Sequence, residues 1–434
     1  MRGDAAWLLA DGGAAPRARG PRPGNRVPEE ARAVDVNHAP KPAPEREVEL
    51  TISSLAGGGD GIGREAGGRV CFVPFSAPGD RVRVRLVEER ARFTRGEIVE
   101  LLAASPVRTE PQCPVFGLCG GCAWQHIQYA AQLDAKREIL RSALERVGRL
   151  SLPGPIELVP SPVPYRYRAR TRVLVEGGRV GYRQRRSHAL CAASHCPVLV
   201  PELDIALAEL GASGESGSGE WELVSGEGGA VRMERLGVLA PRGSAVELSI
   251  RIGADSLVFS PGVFVQSNRW LRDALAAAVH EAAEHGTLAV ELFAGAGFLT
   301  LGLARRFTKV VAVEGGAAGC ADLVRNARRA GLRNIDVRCE AAERAAAQGF
   351  GAIPDAVVLD PPRSGLAANG AAAVCALGAK RIVYLSCDPA TLARDLGVLC
   401  AGGYKLRCVR GFDLFPQTAH VEALATLELA RAPA

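Results

Sequence analysis

The sequence has no apolar run long enough to cross a bilayer. The longest apolar run near its motifs, "LFAGAGFLTLGLA", is too short and is broken by glycines. The amino terminus also lacks the charged and then apolar pattern of a signal sequence. We therefore expect a cytoplasmic protein without membrane-spanning segments.

The chain also does not have the pattern of a small disulfide-rich protein. Its twelve cysteines are spread over 434 residues, a length that needs no disulfide framework and suggests roughly two to four domains. Most thiols are expected to be reduced, with some as metal ligands and one or two reactive. The net charge of +6 is mild, so the positions of the arginines are more informative than their number.

Changes in composition divide the chain into four segments. Residues 1–45, rich in Ala, Gly, Pro and Arg, are predicted to be a disordered tail. Residues 46–104 contain short strand-like runs between glycine-rich turns, which indicate a small OB-like β-barrel of the kind that binds oligonucleotides. The alternation in "RVRVRL" places Arg81, Arg83 and Arg85 on one face, which either binds nucleic acid or is solvated.

Residues 105–254 are predicted to form a central α+β domain with an arginine-rich surface. Residues 165–188 hold eight arginines, three tyrosines and one acid. On a strand, four alternating arginines would share one face: Arg166, Arg168, Arg170 and Arg172. Because arginine binds phosphates and stacks on unpaired bases, the stretch predicts an RNA surface whose affinity falls steeply with salt. A solvated run of charges is the alternative.

The central segment also contains the cysteine pattern C-x5-C-x2-C, formed by Cys113, Cys119 and Cys122. The first gap is long for a zinc knuckle. Three thiolates need a fourth ligand, for which Cys196 is the candidate and Cys191 a competitor. Four thiolates suit a 4Fe–4S cluster, while zinc and plain buried thiols stay open as alternatives.

Residues 255–434 alternate between strand-like and helix-like patterns, which predicts an α/β, Rossmann-like domain around a parallel sheet. Gly295 and Gly297 form a tight turn between a strand and a helix, and Thr300 stands where a dinucleotide fingerprint has its third glycine. Glu314, 17 residues after Gly297, ends the next strand and can bind ribose hydroxyls. Together these features favour S-adenosylmethionine over NAD as the cofactor.

Two more strands of this sheet end in chemically active residues. "DAVVLDPPRSG" carries Asp360 and two prolines at its strand end, and "KRIVYLSC" ends in Cys387 just before a helix. Ligands of open α/β sheets bind at the carboxyl ends of the strands, so Glu314, Asp360 and Cys387 should line one rim. By itself, Cys387 is equally well explained as a small buried residue.

Five ordered motifs resemble those of the RNA uracil-5 methyltransferases, which make 5-methyluridine in rRNA and tRNA: "FSPGVFVQSN", "ELFAGAGFLTL", "LDPPRSG", "YLSCDPATLARDL" and "HVEALATLEL". The amino-terminal barrel is similar to the TRAM domain that many of these enzymes carry. The resemblance covers nearly the whole chain from residue 46. It implies a class I methyltransferase fold, S-adenosylmethionine as cofactor and RNA as partner.

The resemblance also implies roles for individual residues. Cys387 would add to C6 of uracil as the nucleophile, and Glu422 would remove the proton of C5 as the base. Phe264 would stack near the uracil. Asp388 stands where the family often has Asn, at a position that varies among its members. The remaining contacts to the cofactor or the uracil would come from Gln266, Phe293, Gly295, Gly297, Glu314 and Asp360.

For the cysteines, the resemblance indicates a 4Fe–4S cluster held by Cys113, Cys119, Cys122 and Cys196. The cluster would stabilise the central domain and its RNA-binding surface, because methyl transfer to uracil has no redox step. The chain is expected to act as a monomer.

Three interpretations of the function stay open from the sequence. The first is an RNA 5-methyluridine methyltransferase, whose substrate is either rRNA, which the TRAM-like barrel favours, or the T-loop of tRNA. Amino methyltransferases also contain Asp-Pro-Pro, although they usually carry an aromatic residue where this chain has Arg363. A non-catalytic RNA-binding iron–sulfur protein would need neither Cys387 nor Glu422.

Overall fold

The computed structural model describes residues 46–213, 217–238, 247–367 and 369–430. The predicted tail of residues 1–45 lies outside these described residues. Within them, no helix is both long and apolar enough to cross a membrane.

The amino-terminal strands close into a barrel, as predicted. They are β1 (Glu47–Leu55), β2 (Gly61–Arg64), β3 (Val70–Val73), β4 (Arg81–Glu89) and β5 (Phe93–Ala103). The closed order is β1-β2-β3-β5-β4. Successive side chains of a strand face opposite sides, so every second residue points inward. The interior is filled by Leu50, Ile52, Val73, Val82 and Val84.

The three alternating arginines of β4 face away from the barrel interior and form ion pairs on its surface. Arg81 and Arg83 pair with Glu49, Arg83 also pairs with Glu100, and Arg85 pairs with Glu97. Because glutamates neutralise this face, the structure favours the solvated alternative for these arginines over an RNA-binding face.

The central segment contains an antiparallel sheet covered by a helix. Its elements are α1 (Tyr129–Arg146), β6 (Glu157–Val159), β7 (Arg170–Glu176), β8 (Arg179–Arg183), β9 (Leu190–Ala192), α2 (Pro201–Ala212), β10 (Gly219–Ser225), β11 (Val231–Arg235), β12 (Leu248–Ile252) and β13 (Asp255–Phe259). The sheet has the order β11-β10-β7-β8-β9. Leu203, Leu207 and Leu210 of α2 share a core with Val173 and Leu223 of the sheet. A hairpin of β12 and β13 follows.

The prediction that four alternating arginines share one strand face is wrong for Arg166 and Arg168, which lie before the strand. Arg170 and Arg172 do share a face, and both donate to Glu222. Strand β7 begins only at Arg170, and Arg166 lies before it with a left-handed backbone of φ 52°. Arg170 is buried, and its guanidinium donates two hydrogen bonds to the Glu222 carboxylate, both 2.9 Å long. The carboxylate on the neighbouring strand thus holds Arg170 inside the protein, while Arg172 stays exposed.

The carboxyl-terminal half is built on one eight-stranded sheet. Its elements are α3 (Arg272–Ala283), β14 (Gly286–Leu292), α4 (Thr300–Ala304), β15 (Phe307–Glu314), α5 (Ala317–Arg329), β16 (Ile335–Cys339), α6 (Ala342–Gln348), β17 (Ala356–Leu359), α7 (Gly370–Ala376), β18 (Arg381–Ser386), α8 (Pro389–Ala401), β19 (Tyr404–Phe412) and β20 (Glu422–Leu429). The strand order is β16-β15-β14-β17-β18-β20-β19-β6. Strands β14 to β18 are parallel, as predicted, and β20 is antiparallel to both neighbours.

These parallel strands are buried on both faces, which explains their continuous apolar sequences. On β14, Leu288, Val290 and Leu292 face one apolar core, while Ala289 between them faces another. The sheet edge where the strands end is therefore the place where polar side chains are free to meet a ligand.

The sheet takes its last strand from the central segment. Strand β6 pairs in parallel with β19, and α1 packs against α8. A buried ion pair links the same regions: Lys136 Nζ lies 2.5 Å from Asp413 Oδ1, and both side chains are fully buried. Lys136 also donates to the carbonyl oxygen of Phe415 at 2.9 Å. The segment before residue 255 thus completes the sheet and holds the loop that follows β19.

Candidate active site and nucleic-acid interface

A cavity of about 610 Å³ lies at the carboxyl edge of the parallel strands. Open α/β sheets bind their ligands at this edge. Seven of the eight catalytic and cofactor residues predicted from the sequence line it: Gln266, Phe293, Gly295, Glu314, Asp360, Cys387 and Glu422. The fold brings these residues together, while their chemical roles stay predictions.

Gly297 is the predicted residue that does not line the cavity. It adopts φ 96° within the tight turn, and a Cβ there would lie 3.3 Å from Leu323 Cγ. Gly295, with φ 54° and open space beside its Cα, presents bare backbone to the cavity instead. Phe293 has φ 66°, a strained backbone that aromatic residues adopt mainly at functional sites.

Glu314 ends β15 beside this turn. Its Oε2 accepts a hydrogen bond from the Gly295 backbone N–H (2.8 Å), and its Oε1 accepts one from the Gly316 backbone N–H (2.6 Å). These bonds hold the carboxylate at the cavity wall. Each carboxylate oxygen keeps a further lone pair, so Glu314 can still accept hydroxyl groups of a ribose.

Cys387 stands between strand β18 and helix α8. The Asp388 carboxylate caps the helix by accepting hydrogen bonds from the backbone N–H groups of Ala390 (3.0 Å) and Thr391 (2.9 Å). This cap starts the helix directly after the strand, with the Cys387 thiol at the cavity wall. Asp388 therefore has a local structural function.

Glu422 begins β20, the antiparallel neighbour of β18. The antiparallel pairing of β18 and β20 ends at Ser386 and Ala423, so Cys387 and Glu422 each lie one residue beyond the last pair. Both side chains line the cavity, and the charge of Glu422 is near enough to raise the pKa of the Cys387 thiol.

Burial controls the protonation of these groups. It raises the pKa of the Cys387 thiol to about 11, with Glu422 adding to the rise and the Arg363 guanidinium opposing it. Burial also raises the pKa of Asp360 to about 7. The pKa of Glu422 lies well above its usual range, because of burial first and the Asp360 charge second. At neutral pH the Cys387 thiol is thus protonated in this cavity.

Other residues of this region were not predicted as site residues. Arg363 and His420 line the cavity, three positions after Asp360 and two before Glu422. The sequence did offer a signal for both residues, because Arg363 lies in the motif "LDPPRSG" and His420 in the motif "HVEALATLEL". Glu291, two positions before Phe293, is 2% exposed, and burial raises its pKa to about 8. Its burial could not be read from the sequence.

Comparisons with known proteins agree with this geometry. Residues 258–430 match the family described as tRNA (uracil-5-)-methyltransferase, and residues 44–99 match the TRAM domain. A Halomonas elongata protein named 23S rRNA (uracil(1939)-C(5))-methyltransferase RlmD is 34% identical over 444 residues, 88% of this chain and 89% of that protein. Its namesake from Pectobacterium atrosepticum is 34% identical over 89% of this chain and 94% of that protein. The chain belongs to the RNA uracil-5 methyltransferase family.

A solved structure shares the fold of this uracil-5 methyltransferase. It is the Pyrococcus abyssi tRNA (uracil-54, C5)-methyltransferase in complex with S-adenosyl-L-homocysteine. The TM-score is 0.69 at 23% identity, over 88% of this chain and all of that one. The predicted combination of a methyltransferase sheet with an amino-terminal barrel is thereby confirmed.

The methyltransferase also has a groove of about 710 Å³ lined by six arginines: Arg168, Arg170, Arg172, Arg183, Arg185 and Arg186. We call this surface the arginine groove. Arg172 and Arg186 expose more than half of their side chains, 62% and 54%, and pair with Glu222 and Asp60. Unlike on β4, the arginines of this groove outnumber the acids in its lining, Glu220 and Glu222. These guanidinium groups can bind the phosphates of a nucleic acid and fix its register.

Phe264 joins the arginine groove to the cavity, because it lines both. Its side chain is 60% exposed, and the Arg170 guanidinium lies 5.8 Å from its ring centroid. An exposed aromatic ring at the mouth of a cavity can stack on an unpaired base. This position agrees with the stacking role predicted for Phe264.

The four cysteines predicted as cluster ligands border a separate cavity. They are Cys113, Cys119, Cys122 and Cys196, whereas Cys191 does not line it. Among the described residues, no three His, Cys, Asp or Glu side chains form a group that could hold a metal ion. Burial raises the pKa of Cys119 to about 12 and that of Cys122 to about 11. Cys191 nevertheless contacts the Cys119 thiol, so the fourth ligand and the identity of any bound group both stay predictions.

Proposed function

We propose that this methyltransferase transfers the methyl group of S-adenosylmethionine to C5 of a uridine in RNA through a covalent bond between Cys387 and C6. One observation carries the proposal. Cys387 and Glu422 line the same cavity as Gly295 and Glu314. A nucleophile, a base and nucleoside-binding groups therefore surround one substrate position, as methylation of the weakly nucleophilic C5 requires.

The reaction would proceed in three steps. The Cys387 thiolate adds to C6 and makes C5 an enolate-type carbon. C5 then attacks the methyl group of the sulfonium, and S-adenosylhomocysteine is formed. Finally, Glu422 accepts the proton of C5, and the electron pair of that C–H bond re-forms the C5–C6 double bond as the Cys387 sulfur leaves.

The thiolate would form with the help of Arg363. Burial keeps the thiol protonated at neutral pH, and the charge of Arg363 lowers its pKa. No ion pair of Arg363 occurs within the described residues, so its charge is available to the cavity. The thiol would pass its proton to solvent water, and Arg363 would stabilise the thiolate before it adds to the uracil.

The cofactor would lie between the glycine turn and Asp360. Phe293 and Gly295 border this space, and Glu314 would accept hydroxyls of the ribose. Gln266 and Asp360 would contact the cofactor or the uracil. Gly297 would allow the positive φ that the tight turn requires. Carboxylates in a recessed site attract a cationic sulfonium more than the neutral product, which favours exchange after each turnover.

The substrate RNA would lie in the arginine groove, with the target uridine flipped past Phe264 into the cavity. We propose 23S rRNA as the substrate, since the relatives from Halomonas and Pectobacterium carry that name and match most of the chain. A tRNA is the second candidate, supported by the description of the matching family.

We further propose that a 4Fe–4S cluster is bound by Cys113, Cys119, Cys122 and Cys196. In such a cluster each thiolate binds its own iron, so the sulfurs stand farther apart than around one zinc ion. The support for the proposal is that all four thiols border one cavity. Arg168 borders both this cavity and the arginine groove, so the cluster would stabilise the RNA-binding surface.

A covalent trap tests the reaction. RNA with 5-fluorouridine carries a fluorine that cannot leave C5 as a proton does, so an adduct with the nucleophile persists on a denaturing gel. We expect an adduct with the wild type and with Cys408→Ala, which removes an exposed cysteine outside the cavity. Cys387→Ala should form none. An adduct of undiminished yield with Cys387→Ala would rule out this nucleophile.

Nucleoside mass spectrometry of separated rRNA and tRNA identifies the substrate. We expect 5-methyluridine to disappear from rRNA of cells without the gene and to return with the wild type but not with Cys387→Ala. Loss from the tRNA pool alone would select the second candidate.

Metal analysis tests the cluster. Oxygen-free preparations should contain about four iron and four sulfide per chain. Cys191→Ser should keep this content and Cys196→Ser should lose it. One zinc per chain and no sulfide would contradict the proposal.

A further inference from the structure

A third opening lies where the barrel meets the segment that carries Cys113, Cys119 and Cys122. This junction pocket, of about 450 Å³, is lined by Phe75, Phe116, His126, Arg108 and residues 109–111. The Phe75 and Phe116 rings meet edge to face with centroids 5.3 Å apart, and the Phe116 and His126 rings are 5.5 Å apart. Three rings therefore form one aromatic wall, which neither methyl transfer nor the proposed cluster uses.

The backbone of Phe75 is held in a strained conformation at this wall. Its φ is 57°, which is rare for a bulky residue and clusters at ligand sites. Arg108 Nη2 donates a hydrogen bond to the Phe75 carbonyl oxygen at 3.0 Å, and its guanidinium also pairs with the fully buried Asp80. A buried ion pair thus fixes the position of the Phe75 ring.

His126 adds an unused polar group. The residue is 4% exposed, and its Nε2 lies 3.3 Å from the Ser76 carbonyl oxygen. Its Nδ1 is buried without a partner within the described part of the chain. Buried polar atoms are nearly always hydrogen-bonded, so an orphaned nitrogen at a pocket wall calls for a partner from outside the chain.

The junction pocket adjoins the arginine groove through Arg185. This residue lines the groove, and its guanidinium lies 4.7 Å from the Phe75 ring centroid. It also pairs with Asp60 of the barrel at 2.6 Å. A strand whose phosphates lie in the groove would therefore pass beside the aromatic wall.

We propose that the junction pocket binds an unpaired nucleobase of the substrate RNA, separate from the target uridine. The inference rests on the proposed placement of RNA in the arginine groove. Aromatic rings stack on any base, and neighbouring cations hold the phosphates on either side, which is how single-stranded RNA is bound by proteins. The pocket would add affinity and help to select an RNA with a second unstacked base.

A thermodynamic cycle tests the proposal by binding alone, with the full-length protein and without methyl transfer. The probe is the RNA fragment in which the wild type forms 5-methyluridine, or, without methylation, the rRNA fragment it binds most tightly. Each position of this RNA is replaced in turn by an abasic nucleotide. Phe116→Ala should weaken binding of the intact RNA about tenfold. The RNA that lacks the base bound in the pocket should bind the wild type about tenfold more weakly than the intact RNA does. Phe116→Ala should bind this abasic RNA and the intact RNA with equal affinity.

Controls separate stacking from damage to the fold. Phe116→Tyr keeps the ring and should bind like the wild type. Phe350→Ala removes another half-buried ring, which lies under Arg338 at 5.1 Å and packs against the core of the eight-stranded sheet, and it should not change the binding. Iron content should be the same in all variants. If Phe116→Ala does not fold, the abasic series on the wild type still shows whether a base other than the target contributes.

Two results would overturn the proposal. One is intact binding by Phe116→Ala, with no abasic position other than the target affecting the wild type. The other is an equal loss by Phe116→Ala on every abasic RNA, which would indicate a general surface effect or a protein partner at this pocket. If the wild type does not methylate the RNA, the proposed reaction is refuted, but the binding measurements still test the pocket because they need no methyl transfer.

Discussion

Cys387 and Glu422 line one cavity, each one residue beyond the Ser386–Ala423 pair that ends the antiparallel pairing of β18 and β20. The two residues are 35 positions apart in the chain. They meet because β20 inserts next to the last parallel strand in the opposite direction, so its first residue reaches the edge where β18 ends. This strand order brings a carboxyl group to the thiol at the cofactor edge of the sheet.

The titration of Cys387 should depend on its charged neighbours. Its pKa of about 11 is raised by burial and Glu422 and lowered by Arg363. Arg363→Gln should therefore move the pH midpoint of alkylation upward, and Glu422→Gln should move it downward. Mass spectrometry of the Cys387 peptide after timed iodoacetamide treatment measures both midpoints, with about a tenfold rate change per pKa unit at fixed pH. Shifts of the opposite sign would refute this electrostatic account.

Cofactor binding should respond to the protonation of Asp360. Burial raises the pKa of this carboxyl to about 7, so it ionises as the pH rises through neutrality. A cationic sulfonium favours the ionised form, so S-adenosylmethionine should bind more tightly as pH rises through this range, by at most about tenfold per unit. S-adenosylhomocysteine lacks that charge and should show a smaller change. Calorimetric titration with the wild type and Asp360→Asn checks this, and the variant should lose the difference.

The buried pair of Lys136 and Asp413 should be critical for folding. Removing one partner of a buried ion pair costs about 3–5 kcal/mol, because the other charge stays buried alone. Lys136→Met should lower the free energy of unfolding by that amount, and the double change with Asp413→Leu should recover most of it. Lys380→Met removes a lysine that is 77% exposed in its pair with Asp355 and should cost at most about 1 kcal/mol. Denaturant unfolding compares the three variants.

The arginines of the groove should separate into binding and structural groups. Arg172→Gln and Arg186→Gln should each reduce the slope of log affinity against log salt by about 0.7, the value for one phosphate contact to a single strand. Arg170→Gln should destabilise the protein instead, because it leaves the Glu222 carboxylate buried with one partner fewer. Arg81→Gln on the barrel should change neither quantity. RNA titrations at several salt concentrations and thermal unfolding distinguish these outcomes.

The strands and motifs of this protein could be predicted from local patterns in its sequence. Short strand-like runs between glycine-rich turns predicted the barrel, and apolar runs that end in Glu314, Asp360 and Cys387 predicted three parallel strands whose carboxyl ends lie on one rim. Those inferences succeed because the periodicity of a strand and the chemistry at its end are local properties. The arginine repeat shows the limit, since alternation predicted one shared face but could not show that Glu222 would draw Arg170 inside.

How distant residues meet, and how deeply they are buried, depends on the tertiary structure. It brings Glu422 and Cys387 to one cavity, pairs Lys136 with Asp413, and provides the burial that raises the pKa values in the cavity. It also places Phe75 of the barrel beside Phe116, which lies between Cys113 and Cys119. Strand order, burial and the local dielectric arise from contacts between segments far apart in the chain, so no local pattern contains them.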